Sequence, residues 1–153
     1  MDELADPVLA SYRALNERDI EGALAPLDEH AVWQESAELP GGGELRGKDA
    51  IKAFLREFLD TWSDFRQEIE ETRVAGNRVL VLLHMRAVGR TSGIATETRY
   101  AHSWTMQGGR GVLVEAYRDQ ESAVRAFEDA SGAATSQRPT ASTEAQNAKY
   151  AEQ

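Results

Sequence analysis

The chain has 153 residues, enough for one domain with its own core, and no cysteine, which excludes disulfides, thiolate nucleophiles and cysteine-ligated metals together. Its 26 acidic residues outnumber its 17 basic ones for a net charge of −9, so phosphate backbones and anionic membranes are repelled and neither is expected as a partner. The opening MDELADPVL lacks the basic and apolar regions of a signal peptide, and the longest apolar run, VLVLL at 79–83, is far below a membrane span; a soluble, cytoplasmic protein is expected.

In chain order, Asp6 and Pro7 read as the cap and first residue of a helix whose apolar face is Val8, Tyr12 and Leu15 and which ends near Asn16. Asp19 caps a short second helix with Ile20, Ala23, Leu24 and Leu27 on its apolar side, broken or ended at Pro26. HAVWQES at 30–36 reads as a first strand with Ala31, Trp33 and Glu35 on one face. LPGGGELRG at 39–47 is expected to be a loop without regular structure. From Lys48, Ile51, Phe54, Leu55, Phe58, Leu59 and Trp62 recur at helical spacing, with Asp49 in the first turn where its charge suits the dipole.

A meander of strands follows. Phe65 to Ala75 is a weak, charged strand turned by Gly76 and Asn77, and Arg78 to Gly89 has a continuous apolar centre that implies burial on both faces. Thr91, Ser92 and Gly93 turn the chain into TETRYAHSWTM at 96–106, and residues 107–111 turn it again into Val112 to Tyr117. Asp119 caps a closing helix from Gln120 to about Ala130 with Ala123, Val124 and Phe127 inward. Helices followed by a mostly antiparallel sheet make the fold class α+β. The domain is expected over 1–130; residues 131–153 are polar and small, and read as a disordered or loosely attached tail.

The segment 96–106 is the least routine. Alternation puts Tyr100, His102, Trp104 and Met106 on one face and the small Ala101, Ser103 and Thr105 on the other, so one side is aromatic around a titratable group. That asymmetry suits a strand lining a cavity. Three histidines without HExxH spacing or clustered acids argue against a dedicated metal site. The glycine runs precede neither a Lys-Ser pair nor a strand-Gly-x-Gly-helix unit, and no serine sits in a Gly-x-Ser-x-Gly elbow. No cofactor is expected; cofactor-free chemistry or simple binding remains.

The segments YRALNERDIEGALAPLDEHAVW, RGKDAIKAFL and YAHSWTMQGGRGVLVEAYRD, in this order of elements, resemble the SnoaL-like and ketosteroid-isomerase-like proteins of the nuclear transport factor two-like superfamily, over about residues 7–129. The resemblance implies a cone of three or four helices on a curved, mostly antiparallel sheet, and a homodimer through the outer sheet face. It also implies roles by position. Tyr12, three residues before Leu15-Asn16, stands where the isomerases carry an oxyanion tyrosine; Glu35 stands where they carry an aspartate base, and His102 where they carry a protonated aspartate. Two of the three residue types differ. SnoaL-type cyclases similarly place a histidine on this strand and an acid on the next, where Glu115 lies.

Tyr12, Glu35, His102 and Glu115 are what proton transfer beside a carbonyl needs: a carboxylate made basic by an apolar surround, and donors for the developing enolate, each worth about 3 to 4 kcal/mol in an oxyanion hole. The expected catalytic set is Glu35 as base with His102 and Tyr12 as donors. Trp33, Phe54, Phe58, Trp104, Glu115 and Tyr117 are expected around a small apolar or partly polar molecule. An isomerase or polyketide-cyclase-like activity is the first reading. A noncatalytic ligand-binding or dimerisation module is the second, and an epoxide or ester hydrolase with carboxylate-activated water the third. Each residue also has a plainer role open to it. Tyr12 and His102 fit a satisfied core, Glu35 fits a solvated rim, Glu115 fits a cross-sheet ion pair with Arg86 or Arg99, and His30 and His84 are expected to be structural or exposed.

Overall fold

The structure, a computed structural model, describes residues 3–35 and 43–130. Among these the elements run α1 (Asp6–Asn16), α2 (Ile20–Leu24), β1 (Leu27–Glu35), β2 (Gly43–Arg46), α3 (Lys48–Asp60), β3 (Trp62–Ala75), β4 (Arg78–Gly89), β5 (Ala95–Gln107), β6 (Arg110–Tyr117) and α4 (Gln120–Ala130). The strands form one curved sheet in the order β2-β1-β6-β5-β4-β3, antiparallel throughout except for the parallel pair β1–β6. The fold is α+β, and no described helix is long and apolar enough to cross a membrane. The tail expected at 131–153, Ser36 at the end of the expected first strand, and residues 39–42 of the glycine loop lie outside the described residues.

Helices sit on both faces of the sheet, and this explains the unbroken apolar run in β4. Val79, Val81 and Leu83 join the inner core with Val8, Tyr12 and Leu15 of α1 and Ile51, Phe54, Leu55 and Leu59 of α3. Leu80 and Leu82 face the other way, into a smaller cluster with Ala101 and with Ala123, Val124 and Phe127 of α4. All five residues from Val79 to Leu83 are therefore fully buried. Asp19 and Asp119 cap α2 and α4 by accepting from the backbone N–H groups of Gly22 and Ser122, at 3.0 and 2.7 Å.

Several boundaries differ from the sequence expectation, beginning with Leu27, which was expected on the second helix but opens β1 after α2 has ended at Leu24. Residues 43–46, expected as loop, form the edge strand β2 paired with β1 from Val32–Arg46 to Glu35–Gly43. The physical reason is local: Leu45 packs inward between exposed Glu44 and Arg46, a strand alternation too short to stand out beside the glycines. Trp62 is not the end of the α3 stripe, because the helix stops at Asp60 and Trp62 opens β3. The stop is fixed by two arginines on the last carbonyls: Arg18 donates to Leu59 and Trp62, and Arg90 to Asp60 and Trp62, at 2.9 to 3.2 Å. Finally, Asp6 is the first helical residue of α1, following Ala5 as N-cap.

Two further devices hold the inner face in place. Asn16, at the end of α1, uses its side-chain amide as a strand would, accepting from Gln67 N at 2.8 Å and donating to Gln67 O at 2.9 Å on the edge strand β3. Gly108 and Gly109 take positive φ of 59° and 79° and so make the two-residue turn that folds β6 back on β5. Just beyond, Gly111 lies against the Trp104 ring: a methyl group there would sit 2.7 and 2.9 Å from ring carbons. Gly111→Ala is accordingly expected to cost about 1 to 3 kcal/mol, the range for overpacking a filled core, and to lower the midpoint in a thermal melt. An unchanged midpoint would mean that Trp104 has room to move.

Candidate functional site

Between the inner sheet face and the helices is a cavity of about 470 Å³, within the size range of small-molecule sites. Widely separated parts of the chain bring side chains to it. Tyr12 comes from the inward stripe of α1; Trp33 and Glu35 from the same face of β1; Phe54 and Phe58 from α3; His102 and Trp104 from the aromatic face of β5. Tyr117, where β6 ends, completes the set. Eight of the nine residues singled out from the sequence thus border one hollow.

Glu115 is the exception. Strand alternation turns Val114 into the core and Ala116 to the cavity, which leaves Glu115 on the outer face, opposite Ser103. Its carboxylate lies 3.9 Å from Arg78 rather than near Arg86 or Arg99, which pair instead with Glu97 and Glu70. His84 is buried on that face, 2.7 Å from the Glu97 carboxylate, whereas His30 is exposed.

The polar groups of the cavity form two short runs. In the first, the indole N–H of Trp104 donates to the Tyr12 hydroxyl at 2.8 Å, and that hydroxyl is 2.7 Å from Nδ1 of His102. In the second, Trp33 donates its indole N–H to Glu35 at 2.9 Å while its ring stands edge-on to His102, with centroids 5.1 Å apart. Trp33 therefore touches both the carboxylate and the imidazole. Burial pushes the His102 ring down to about 3, so it is neutral at pH 7. Burial likewise pushes Tyr12 and Tyr100 above their ordinary value; the hydrogen bonds from Trp104 and Gln67 oppose this, and the nearby Glu35 charge adds to it.

Sequence reasoning passed over several lining residues. Tyr100 was visible on the His102 face, and its ring stands edge-on to that of His102 at 5.4 Å. Gln67 donates from its side-chain amide to the Tyr100 hydroxyl, and its only signal was an inward alternation of Phe65, Gln67 and Ile69 within a charged strand. Arg118 reaches the cavity from just after β6. Among the described residues no group of three or more histidines and acids is placed to hold a metal ion.

The sequence model of the SnoaL-like domain matches residues 8–114. An NTF2-like protein of unknown function from Burkholderia pseudomallei K96243 is similar in structure, with a TM-score of 0.70 and 27% identity over 82% of this chain and 97% of that one. TerC, co-crystallised with polyporic acid, is similar with a TM-score of 0.70 and 27% identity over 84% and 97% of the two chains. An NTF2-like protein from Burkholderia thailandensis E264 follows with 0.69 and 26% over 78% and 92%. No curated protein matches the sequence.

Proposed function

The chain belongs to the SnoaL-like domain family, and from that premise we propose that it takes a small apolar or partly polar molecule into its cavity and moves a proton beside a carbonyl without a cofactor. Glu35 is the base in this reading, and the donors to the developing enolate come from the cavity wall that His102 forms, with Tyr12 hydrogen-bonded behind it. The observation that carries it is the pairing of Glu35 and His102 on one cavity with Trp33 against both. A neutral imidazole suits the donor role, because burial has already removed its competing charged form. That a relative of 27% identity, TerC, was crystallised with polyporic acid supports a small-molecule occupant. The test is α-proton exchange in D₂O over a panel of enolisable ketones, followed by proton NMR. Saturable exchange above the buffer rate is expected, and exchange at the buffer rate across the panel would remove the catalytic reading.

One feature favours a second reading, a binding module without chemistry. Glu35 is only half-buried at the end of its strand, where a carboxylate is easily solvated. Both readings keep the homodimer as a proposal. On the outer face α4 covers Leu80, Leu82 and Ala101, so a second copy would meet the ion-pair ladder of Glu68, His84, Arg86 and Glu97. Sedimentation at the mass of one chain would remove it.

A further inference from the structure

We propose that a ligand oxygen in this cavity is held by two protons, the Nε2–H of His102 and the hydroxyl of Tyr100, and that Trp104, Tyr12 and Gln67 are positioning residues that aim them. The inference deepens the reading above and rests on it for the ligand itself. The direction of each hydrogen bond follows from which groups can only donate.

An indole N–H has no acceptor role, so at 2.8 Å from the Tyr12 hydroxyl the Trp104 N–H takes up the phenol oxygen as acceptor. Tyr12 has one proton left to place, and Nδ1 of His102 is 2.7 Å away. A phenol is a stronger acid than a neutral imidazole N–H, and an imidazole nitrogen is a stronger base than a phenol oxygen; the bond therefore runs O–H to N. The imidazole is neutral and carries a single proton. With Nδ1 accepting, that proton is on Nε2, on a ring that forms the cavity wall. Tyr12 is thereby committed to His102 and is not itself a donor to the ligand.

Tyr100 repeats the pattern two residues earlier on the same strand face. The side-chain amide of Gln67 donates to its hydroxyl, and the Gln67 backbone is gripped on both sides by Asn16. Reversing that amide would place an NH₂ with two unpaired protons where Oε1 already has no partner, a costlier burial than a lone carbonyl oxygen. With its oxygen occupied, Tyr100 has its proton left to give, and its ring is edge-on to His102 at 5.4 Å on the same cavity. Two donors side by side recognise an acceptor-only group: a ketone carbonyl, an enolate or a phenolate, and not an amine.

Two measurements on the full chain test this. Ring nitrogen-15 spectra of the histidines give the tautomer directly: the proton of His102 is expected on Nε2, and Tyr12→Phe, which keeps its ring, and Trp104→Phe, which removes the indole N–H, are expected to lose that preference. A proton on Nδ1 in the unsubstituted protein, or the same spectrum in both variants, would overturn the relay. The second uses acetophenone with carbon-13 at its carbonyl, read by infrared difference. Its stretch is expected to fall on binding, Tyr100→Phe to lose about half of that shift as one of two comparable donors, and Glu115→Gln, on the outer face beside Arg78, to keep all of it. An undiminished shift in Tyr100→Phe overturns the two-donor assignment. No uptake of the ketone by the unsubstituted protein counts against the small-molecule reading instead, and the nitrogen spectra still decide the relay.

Discussion

Glu35→Gln is expected to slow α-proton exchange by about 10²- to 10⁴-fold, the range for losing a positioned general base. The substitution is a clean one. Glu35 accepts the Trp33 indole N–H at 2.9 Å, and a glutamine oxygen can accept the same proton, so Trp33 keeps its place against His102 while the basic lone pairs are lost. Because Glu35 is half-buried at a strand end, thermal stability should change by less than about 1 kcal/mol. Glu115→Gln serves as the comparison: its carboxylate lies on the other face of the sheet beside Arg78, and exchange should stay at the unsubstituted rate. Equal rates in Glu35→Gln and the unsubstituted protein would remove Glu35 as the base and leave the binding module as the better reading.

The second large effect is on stability against pH. An unfolded histidine binds its proton near pH 6.5, whereas burial holds His102 in the folded chain down at about 3. Below pH 6.5 the unfolded chain therefore takes up a proton that the folded chain refuses. The stabilisation from a neutral His102 is complete above 6.5 and is lost as pH falls, at about 1.4 kcal/mol per pH unit, until the folded ring also titrates. Between pH 6.5 and 5, before most carboxylates protonate, the loss should be about 2 kcal/mol by urea denaturation. His102→Gln should flatten that part of the profile. Parallel profiles for the two proteins would show that the imidazole is hydrated in the folded state.

How far the sequence could be read depended on whether a signal was local. α3 and β4 were legible almost to the residue, one from a helical stripe of Ile51, Phe54, Leu55 and Leu59, the other from an apolar run bounded by turn residues on both sides. The curved sheet and four helices agree with the resemblance to the SnoaL-like proteins, and the alternation at 100–106 correctly placed His102 and Trp104 on one inner face. The edge strand β2 was missed because four residues with a single apolar side chain carry almost no pattern. Glu115 was expected at the site by its likeness to the acid of the SnoaL-type cyclases, and the pairing with β5 places it on the outer face instead, where the alternative expectation of an ion pair is met by Arg78. Gln67 showed only its inward alternation, since its role comes from Asn16, 51 residues earlier, and from Tyr100, 33 residues later.

All three tryptophans of the chain, Trp33, Trp62 and Trp104, border the same hollow, so their indole N–H signals report on it from three sides. Titrating the nitrogen-15 labelled protein with acetophenone and following those three signals is the most direct test of a ligand site there. Saturable shifts at the indoles are expected, with the signal of Trp33 changed again in Glu35→Gln because its N–H is bonded to that carboxylate. Indole signals that stay fixed at every ketone concentration, while signals from the outer face of β4 move, would contradict it.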